Sequence, residues 1–199
     1  MKFTYSSYEG LVKTLQEANY TFVDYHDYNA YPRCVILRHD IDNSIDKSVK
    51  LAELEAELGV KSTYFVLLTS DFYNPSSKKS IDGLHRIQKL GHEIGLHFDE
   101  MAYDELKSVP KAIFREVDIL SDIIGTPVTT VSMHRPSQQT LNADYKIPGM
   151  INSYGKTFFN DFKYLSDSRR RWREPVLDII NRTGGRVPVS RIIGVSNNQ

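Results

Sequence analysis

The 199-residue chain contains a single cysteine and no excess of charge of either sign. Cys34 cannot form an internal disulfide, and no Cys-x-x-Cys motif is present, so a disulfide framework is excluded. Lys plus Arg and Asp plus Glu both number 25, which removes the electrostatic argument for a nucleic-acid or membrane-surface partner. No N-terminal charged-then-apolar segment resembles a signal peptide, so we expect a cytoplasmic protein.

Internal repeats, low-complexity runs and long linkers are also lacking. The composition, with 40% hydrophobic and 25% charged residues, is that of an ordinary folded protein and indicates neither disorder nor a coiled coil. The length suits one sizeable core. We therefore expect a single domain over residues 1–199.

What the sequence does contain is a repeated unit: a short apolar strand, a polar turn and an amphipathic helix closed by glycine. This unit predicts parallel β-α-β structure and an α/β fold class. Strands are predicted at 35–38, 63–68, 93–97 and 128–133, with later candidates at 149–155 and 163–167. Helices are predicted at 44–58, from 80 to 90 and at 103–124. Successive strands begin about 30 residues apart, the size of one right-handed crossover, so a barrel and an open doubly wound sheet both fit.

Titratable side chains follow the predicted strands at their carboxyl ends, which form the functional edge of parallel α/β folds. They are Arg38, His39, Asp40 and Asp42 after the first strand, His97 and Asp99 after the third, His134 and Arg135 after the fourth, and Asp167 after a later one.

The two carboxylates Asp40 and Asp42 have two interpretations. Carboxylates just before a helix can cap it, but Ser44 and Asp46 are already available for that role. The alternative is a division of labour, in which one carboxylate binds a divalent metal and the other takes a proton from a water activated by that metal.

An isolated His97 would more often be structural, but its position at the same edge as the aspartates favours a ligand role. The odd spacing from His92 places the two rings on opposite faces of the strand, so structural packing is expected for His92. His134 with Arg135 is either a ligand and a clamp or a basic strand end.

Three motifs resemble, in order and spacing, those of the polysaccharide deacetylase superfamily, also called the NodB-homology domain or carbohydrate esterase family 4. They are Asp40-x-Asp42, the GHEIGLH segment at 91–97 and the SMHRP segment at 132–136. The match covers about residues 33–170. The resemblance implies a distorted, seven-stranded (β/α) barrel and a divalent, zinc-type ion used to remove acetyl groups from N-acetylated sugars.

The resemblance also implies roles for individual positions. Asp40 resembles the catalytic base, and Asp42 the metal-binding aspartate of an Asp-x-Asp variant of the motif. His97 matches the first histidine of the family's His-x-x-x-His pair. Arg135 resembles the arginine that orients the base.

A later segment resembles the motif that lines the family's acetyl pocket. It contains Tyr164 and Asp167 and is followed by Trp172. The resemblance therefore implies that these three residues bind the substrate.

Two departures from the family pattern stand out. The second histidine of the pair is replaced by Met101, a poor ligand for zinc, so the third ligand is His134, Asp99 or a water, in that order of preference. The tail at 186–195 has no histidine where the family carries Leu-x-His, whose histidine is the general acid. Either His134 has taken the acid role, or the barrel is incomplete or diverged at the C-terminus and catalysis is impaired.

The sequence thus predicts a metal-dependent enzyme that deacetylates an N-acetylated sugar of a polysaccharide or of its precursor. One alternative is a catalytically impaired sugar-binding protein with the same scaffold. Another is a hydrolase of a different carbon-nitrogen amide bond, such as that of a cyclic ureide.

Overall fold

The computed structural model describes residues 4–162, 165–166 and 187–190. The helices are α1 Tyr5–Glu17, α2 Ile45–Glu57, α3 Lys78–Lys89, α4 Val109–Ile124, α5 Gln138–Ala143 and α6 Lys156–Asn160. The strands are β1 Thr21–Val23, β2 Cys34–Ile41, β3 Thr63–Val66, β4 Glu93–Phe98, β5 Thr130–Met133, β6 Ile151–Asn152, β7 Leu165–Ser166 and β8 Val187–Ser190. Within these ranges, no helix combines the length and apolar character that crossing a membrane requires.

The strands form one parallel sheet in the order β6-β5-β4-β3-β2-β8-β7, with β1 paired to the first half of β2. Among the described residues no pairing joins β6 to β7, so the sheet is a curled half-barrel with helices packed outside it. The predicted α/β class and the distorted, incomplete barrel are therefore confirmed. All strands point the same way, so their carboxyl ends meet at one edge.

Helix α2 begins where its sequence predicts. The Ser44 side chain accepts a hydrogen bond from the backbone N–H of Lys47 at 3.4 Å, and Gly59 follows the helix with a φ of 70°. The serine therefore satisfies a free N–H of the first turn, and glycine adopts the left-handed conformation that ends the helix. Because Ser44 caps α2, the two preceding aspartates are not needed for that purpose.

Two helices begin at residues other than the predicted ones. Helix α4 begins at Val109 and not at position 103, because Pro110 lacks an N–H and is tolerated only in the first turn. Helix α3 begins at Lys78, two residues early, because Ser77 and not Ser80 is its capping residue. The later strand predicted at 149–155 is reduced to Ile151–Asn152.

Helix α1 at the N-terminus is not among the predicted helices. Its signals were present: Thr4 accepts a hydrogen bond from the backbone N–H of Ser7, and the buried residues recur at helical spacing. These residues are Tyr8, Leu11, Val12 and Leu15, which pack against β2 and α2.

Alternation along β2 decides which side chains reach the inside of the half-barrel. Val35 and Leu37 pack outward against helices α1 and α2, whereas Cys34 and Ile36 pack on the inner face with Phe65. Since successive side chains of a strand point to opposite faces, Arg38 and Asp40 continue the inner row.

Strand β4 follows the same rule, and its inner row contains a glycine for a steric reason. A Cβ on Gly95 would lie 2.6 Å from the ring of Phe65 and 2.9 Å from the carbonyl oxygen of Thr130. The glycine of the GHEIGLH segment therefore lets β4 pack closely between its neighbours. His97 is two residues further along the strand and so lies on the same inner face.

Candidate metal centre

Three side chains meet at the carboxyl edge of the sheet: Asp42, His97 and His134. Asp42 Oδ1 lies 3.4 Å from His97 Nε2 and 3.3 Å from His134 Nδ1. The two ring nitrogens are 3.0 Å apart. His97 is fully buried, and the other two side chains are each 22% exposed, so the cluster is open to solvent on one side.

The neighbouring strands bring these residues together from three distant parts of the chain. Asp42 follows the last residue of β2, His97 lies in β4, and His134 follows β5. The backbone N–H of His134 donates a hydrogen bond to the carbonyl of Phe98 at 2.8 Å, which fixes the turn out of β5 beside the end of β4. The site is thus built on rigid strand ends.

The spacing of the three donor atoms fits a small divalent metal. Ligands at about 2.0–2.2 Å from a tetrahedral zinc ion lie roughly 3.3–3.5 Å from each other, close to the observed 3.0, 3.3 and 3.4 Å. Asp42 Oδ1 is also buried without a well-formed hydrogen bond within the described residues. A buried carboxylate oxygen with that environment is costly unless a cation satisfies it.

Electrostatics keep the Asp42 carboxyl in the form that binds a metal. Burial would raise its pKa, but the imidazoles of His134 and His97 outweigh this and lower the pKa to about 2. Asp42 is therefore ionised at neutral pH, as a metal ligand must be.

Asp40 lies beside this cluster and is paired with an arginine. Its Oδ2 is 3.7 Å from His97 Nε2, and its Oδ1 accepts a hydrogen bond from Arg38 Nη2 at 2.5 Å. The Arg38 guanidinium also donates to the hydroxyls of Ser132 and, at 3.3 Å, Ser153. Both members of the pair are buried, so the arginine holds the Asp40 carboxylate in one orientation.

Arg135, which the resemblance assigned to orienting the base, is placed differently. Its guanidinium pairs with Asp99, with Nε at 3.2 Å from Oδ2, and its side chain is 61% exposed. The guanidinium next to Asp40 is that of Arg38. The sequence held a signal for this, because Arg38 and Asp40 are two residues apart on one strand and so share a face.

The pairing of Asp99 with Arg135 also bears on the third ligand. Asp99 accepts a second hydrogen bond from the N–H of Met101 at 3.0 Å, so both of its oxygens contact groups other than the cluster. Met101 itself is 64% exposed. The third side chain next to Asp42 and His97 is that of His134, whose Nδ1 lies 3.0 Å from His97 Nε2.

Three of the predicted site residues are not among those that the structure describes. Tyr164, Asp167 and Trp172, the predicted acetyl-pocket residues, lie outside the described residues.

His39 faces away from the cluster, on the helical side of β2. Its Nε2 lies 2.7 Å from Glu55 Oε1, and Glu55 also accepts hydrogen bonds from Tyr64 at 2.6 Å and from Tyr8 and Ser62. Burial would raise the pKa of Glu55, but His39 and the hydroxyl donors lower it to about 2. This network joins α2 to the sheet behind the site.

His92 belongs to the same outer layer. Its Nδ1 accepts a hydrogen bond from the N–H of Ser62 at 3.2 Å, and its Nε2 lies 2.9 Å from the carbonyl oxygen of Ala52. The ring bridges β3 and α2, which agrees with the packing role expected for it, and burial lowers its pKa.

A cavity of about 290 Å³ opens beside the cluster. Asp42 and His134 form part of its wall, together with residues of the loop that follows β3 and with the pair Asp99 and Arg135. A substrate can therefore approach two of the three candidate ligands.

Solved structures with the same fold include carbohydrate esterases and deacetylases. A family 4 carbohydrate esterase from Bacillus anthracis is 16% identical, with a TM-score of 0.51 over 93% of this chain and 78% of that chain. A Streptococcus pyogenes deacetylase in complex with acetate is 12% identical, with a TM-score of 0.53 over 97% and 82%. A family 4 acetyl xylan esterase from Clostridium thermocellum, in complex with a cobalt ion, is 15% identical, with a TM-score of 0.52 over 81% and 76%.

At these identities the similarity establishes the fold, and the fold implied by the sequence motifs is confirmed. No protein-family model and no curated protein matches the chain. Function therefore has to be argued from the residues of the site.

Proposed function

We propose that this chain, which has the fold of the family 4 carbohydrate esterases, is a metal-dependent hydrolase that removes an acetyl group from an N-acetylated sugar. The observation that carries the proposal is the set of three donor atoms, Asp42 Oδ1, His97 Nε2 and His134 Nδ1, separated by 3.0–3.4 Å with a second carboxylate beside them. A cytoplasmic location, expected from the sequence, would favour a nucleotide- or lipid-linked sugar precursor as the substrate.

Asp42, His97 and His134 would hold the ion. A bound zinc-type ion supplies Lewis-acid chemistry, which polarises the acetamide carbonyl and makes water more acidic. Two imidazoles and one carboxylate form a ligand set that is common in catalytic zinc sites and leaves a position open. Asp42 and His134 are each 22% exposed, so a substrate could reach an ion held there.

Asp40 would act as the general base. Its carboxylate takes a proton from the water that attacks the acetamide carbon, and Arg38 keeps its orientation fixed during this step. When the carbon-nitrogen bond breaks, protonated Asp40 can return the proton to the departing amine, and the products are acetate and a free amino sugar. This assignment leaves His134 free to remain a ligand.

A non-catalytic sugar-binding protein is the second candidate, and one observation favours it. Strand β8, Val187–Ser190, pairs with β2 in the last part of the described chain, and neither it nor the rest of the tail contains a histidine. A general acid of the Leu-x-His type is therefore missing from the sequence.

Zinc titration combined with an acetate-release assay on N-acetylglucosamine oligomers tests the proposal. We expect about one zinc ion to bind the wild-type chain, Asp42→Ala to weaken binding more than about 100-fold, and Asp40→Asn to abolish turnover while leaving zinc affinity within a few-fold. Asp82→Asn, at an exposed carboxylate on α3, serves as the control.

Each alternative predicts a different result. Equal loss of zinc binding and turnover in both Asp40→Asn and Asp42→Ala would mean that the two aspartates do not divide their roles. Sugar binding without acetate release would favour the non-catalytic candidate. Hydrolysis of a cyclic ureide, with no acetate from any acetylated sugar, would reject the deacetylase proposal.

A further inference from the structure

The loop between β3 and α3 is fastened to the strand end that carries Asp42. Ser70 Oγ donates a hydrogen bond to the carbonyl oxygen of Asp42 at 2.8 Å. The Tyr73 hydroxyl donates to the carbonyl of Ile41 at 2.7 Å and accepts from the N–H of Leu67 at 3.0 Å. The first half of the loop is therefore fastened to the end of β2 through Ser70 and Tyr73, which restrains its conformation next to the candidate metal centre.

The side chain that this loop presents to solvent is a phenylalanine. Phe72 is 73% exposed, the largest exposed fraction among the large hydrophobic residues described. Its N–H donates to Ser70 Oγ at 3.2 Å, so its backbone is part of the same fastening. A large apolar ring held in water by an ordered loop gains its burial energy only when a ligand covers it.

Phe72 lines the same cavity as Asp42 and His134. The other exposed side chains of that wall are polar: Asn43, Thr69, Asp71 and Arg135. Two other exposed hydrophobic residues, Met101 and Ile119, do not line it. One exposed ring among hydrogen-bonding groups suits a ligand with one apolar face and a polar periphery.

A pyranose ring has this character, because its C–H bonds form an apolar face while its hydroxyls point outward. The cavity of about 290 Å³ is slightly smaller than the roughly 300–1,000 Å³ typical of ligand sites. A sugar chain longer than one unit must therefore extend over its rim. Phe72 is a rim residue with the exposure needed to meet such a unit.

We propose that Phe72 is a stacking platform for a pyranose ring of the substrate, and hence that the substrate is an oligosaccharide or a larger glycan, free or lipid-linked, and not a nucleotide-linked monosaccharide. The inference rests on the proposed function in taking a sugar as the substrate. It assigns the binding of that sugar to a residue outside the recognised motifs.

The test is the affinity of the N-acetylglucosamine tetramer for the metal-free 199-residue chain, measured by NMR titration so that no turnover interferes. Covering about 40 Å² of the ring gives about a fivefold effect on the dissociation constant. Phe72→Ala is therefore expected to weaken binding about fivefold, and Phe72→Tyr to stay within twofold. Ile119→Ala, a 43% exposed residue on α4, is the matched control and should have no effect.

The outcomes separate this inference from the proposed function. Acetate release by the zinc-loaded wild type, with tetramer affinity unchanged in Phe72→Ala, overturns the platform and leaves the hydrolase intact. Weakened tetramer binding in Phe72→Ala, with no acetate release from the wild type, supports the platform and removes the hydrolase. Failure of the wild type to bind the tetramer overturns the platform, and an equal loss in Ile119→Ala does the same.

Discussion

Replacing Arg38 with methionine should destabilise the folded chain severely. The Arg38 and Asp40 side chains are 2% and 0% exposed, and the guanidinium also bonds to Ser132 and Ser153. Removing one partner of a buried ion pair costs about 3–5 kcal/mol, because the remaining charge stays buried without compensation. This is a large part of a typical unfolding free energy of about 5–15 kcal/mol.

A double-mutant cycle measured by urea unfolding tests the reasoning. Arg38→Met with Asp40→Asn should lose less than the sum of the single losses, by about 1–3 kcal/mol, since the second change removes the charge that the first leaves unpaired. The control cycle uses Arg86→Met and Glu53→Gln, an exposed pair at 3.1 Å with 52% and 43% exposure, which should couple by less than about 1 kcal/mol. Additivity of the buried pair within about 0.5 kcal/mol would refute the argument. If Arg38→Met does not fold, Arg38→Gln, which also removes the charge but keeps hydrogen-bond donors for Ser132 and Ser153, takes its place in the cycle.

Further predictions concern residues around the site. Met101→Ala should change the unfolding free energy by less than about 0.5 kcal/mol and zinc affinity by less than about threefold, because the side chain is 64% exposed; a tenfold loss of zinc affinity would place its sulfur among the ligands. Asp99→Asn should likewise leave zinc affinity nearly unchanged, since Asp99 pairs with Arg135, and competition with a chelating dye measures it. The pKa of Glu55 is lowered from 4.5 to about 2, so its contribution to stability is present above pH 4.5 and is lost as the pH falls towards 2. Glu55→Gln should therefore flatten the dependence of the urea-unfolding free energy on pH in this window, and an unchanged slope would contradict the assigned pKa.

Local signals in the sequence predicted most of the regular structure. The glycine and serine that bound α2 and the continuous apolar runs of β2 and β3 identified these elements. The helix predicted to begin at residue 103 begins at Val109. Pro110 lacks an N–H and is tolerated only in the first turn, so the helix cannot extend back to residue 103. Helix α1 was missed although its cap and spacing were readable.

The site was predicted in part, and the reason is geometric. Asp40, Asp42 and His97 belong to motifs of fixed spacing, so the sequence alone predicts that they lie together. His134, in the third motif, is preferred as the third ligand, but the sequence leaves Asp99 and a water open as alternatives. The 3.0 Å approach of His134 to His97 follows from the pairing of β4 with β5, which tertiary structure alone decides.

The arginine next to Asp40 is likewise predicted only in part by the sequence. The alternation of β2 already placed Arg38 and Asp40 on one face, whereas family spacing pointed to Arg135. The folded chain decides between them, because Arg135 pairs with Asp99 and Arg38 pairs with Asp40. By itself, the sequence determined the parallel α/β scaffold and two carboxylates at its functional edge. Which side chains meet those carboxylates depends on the distances between strands that are remote in the chain, and these are properties of the fold.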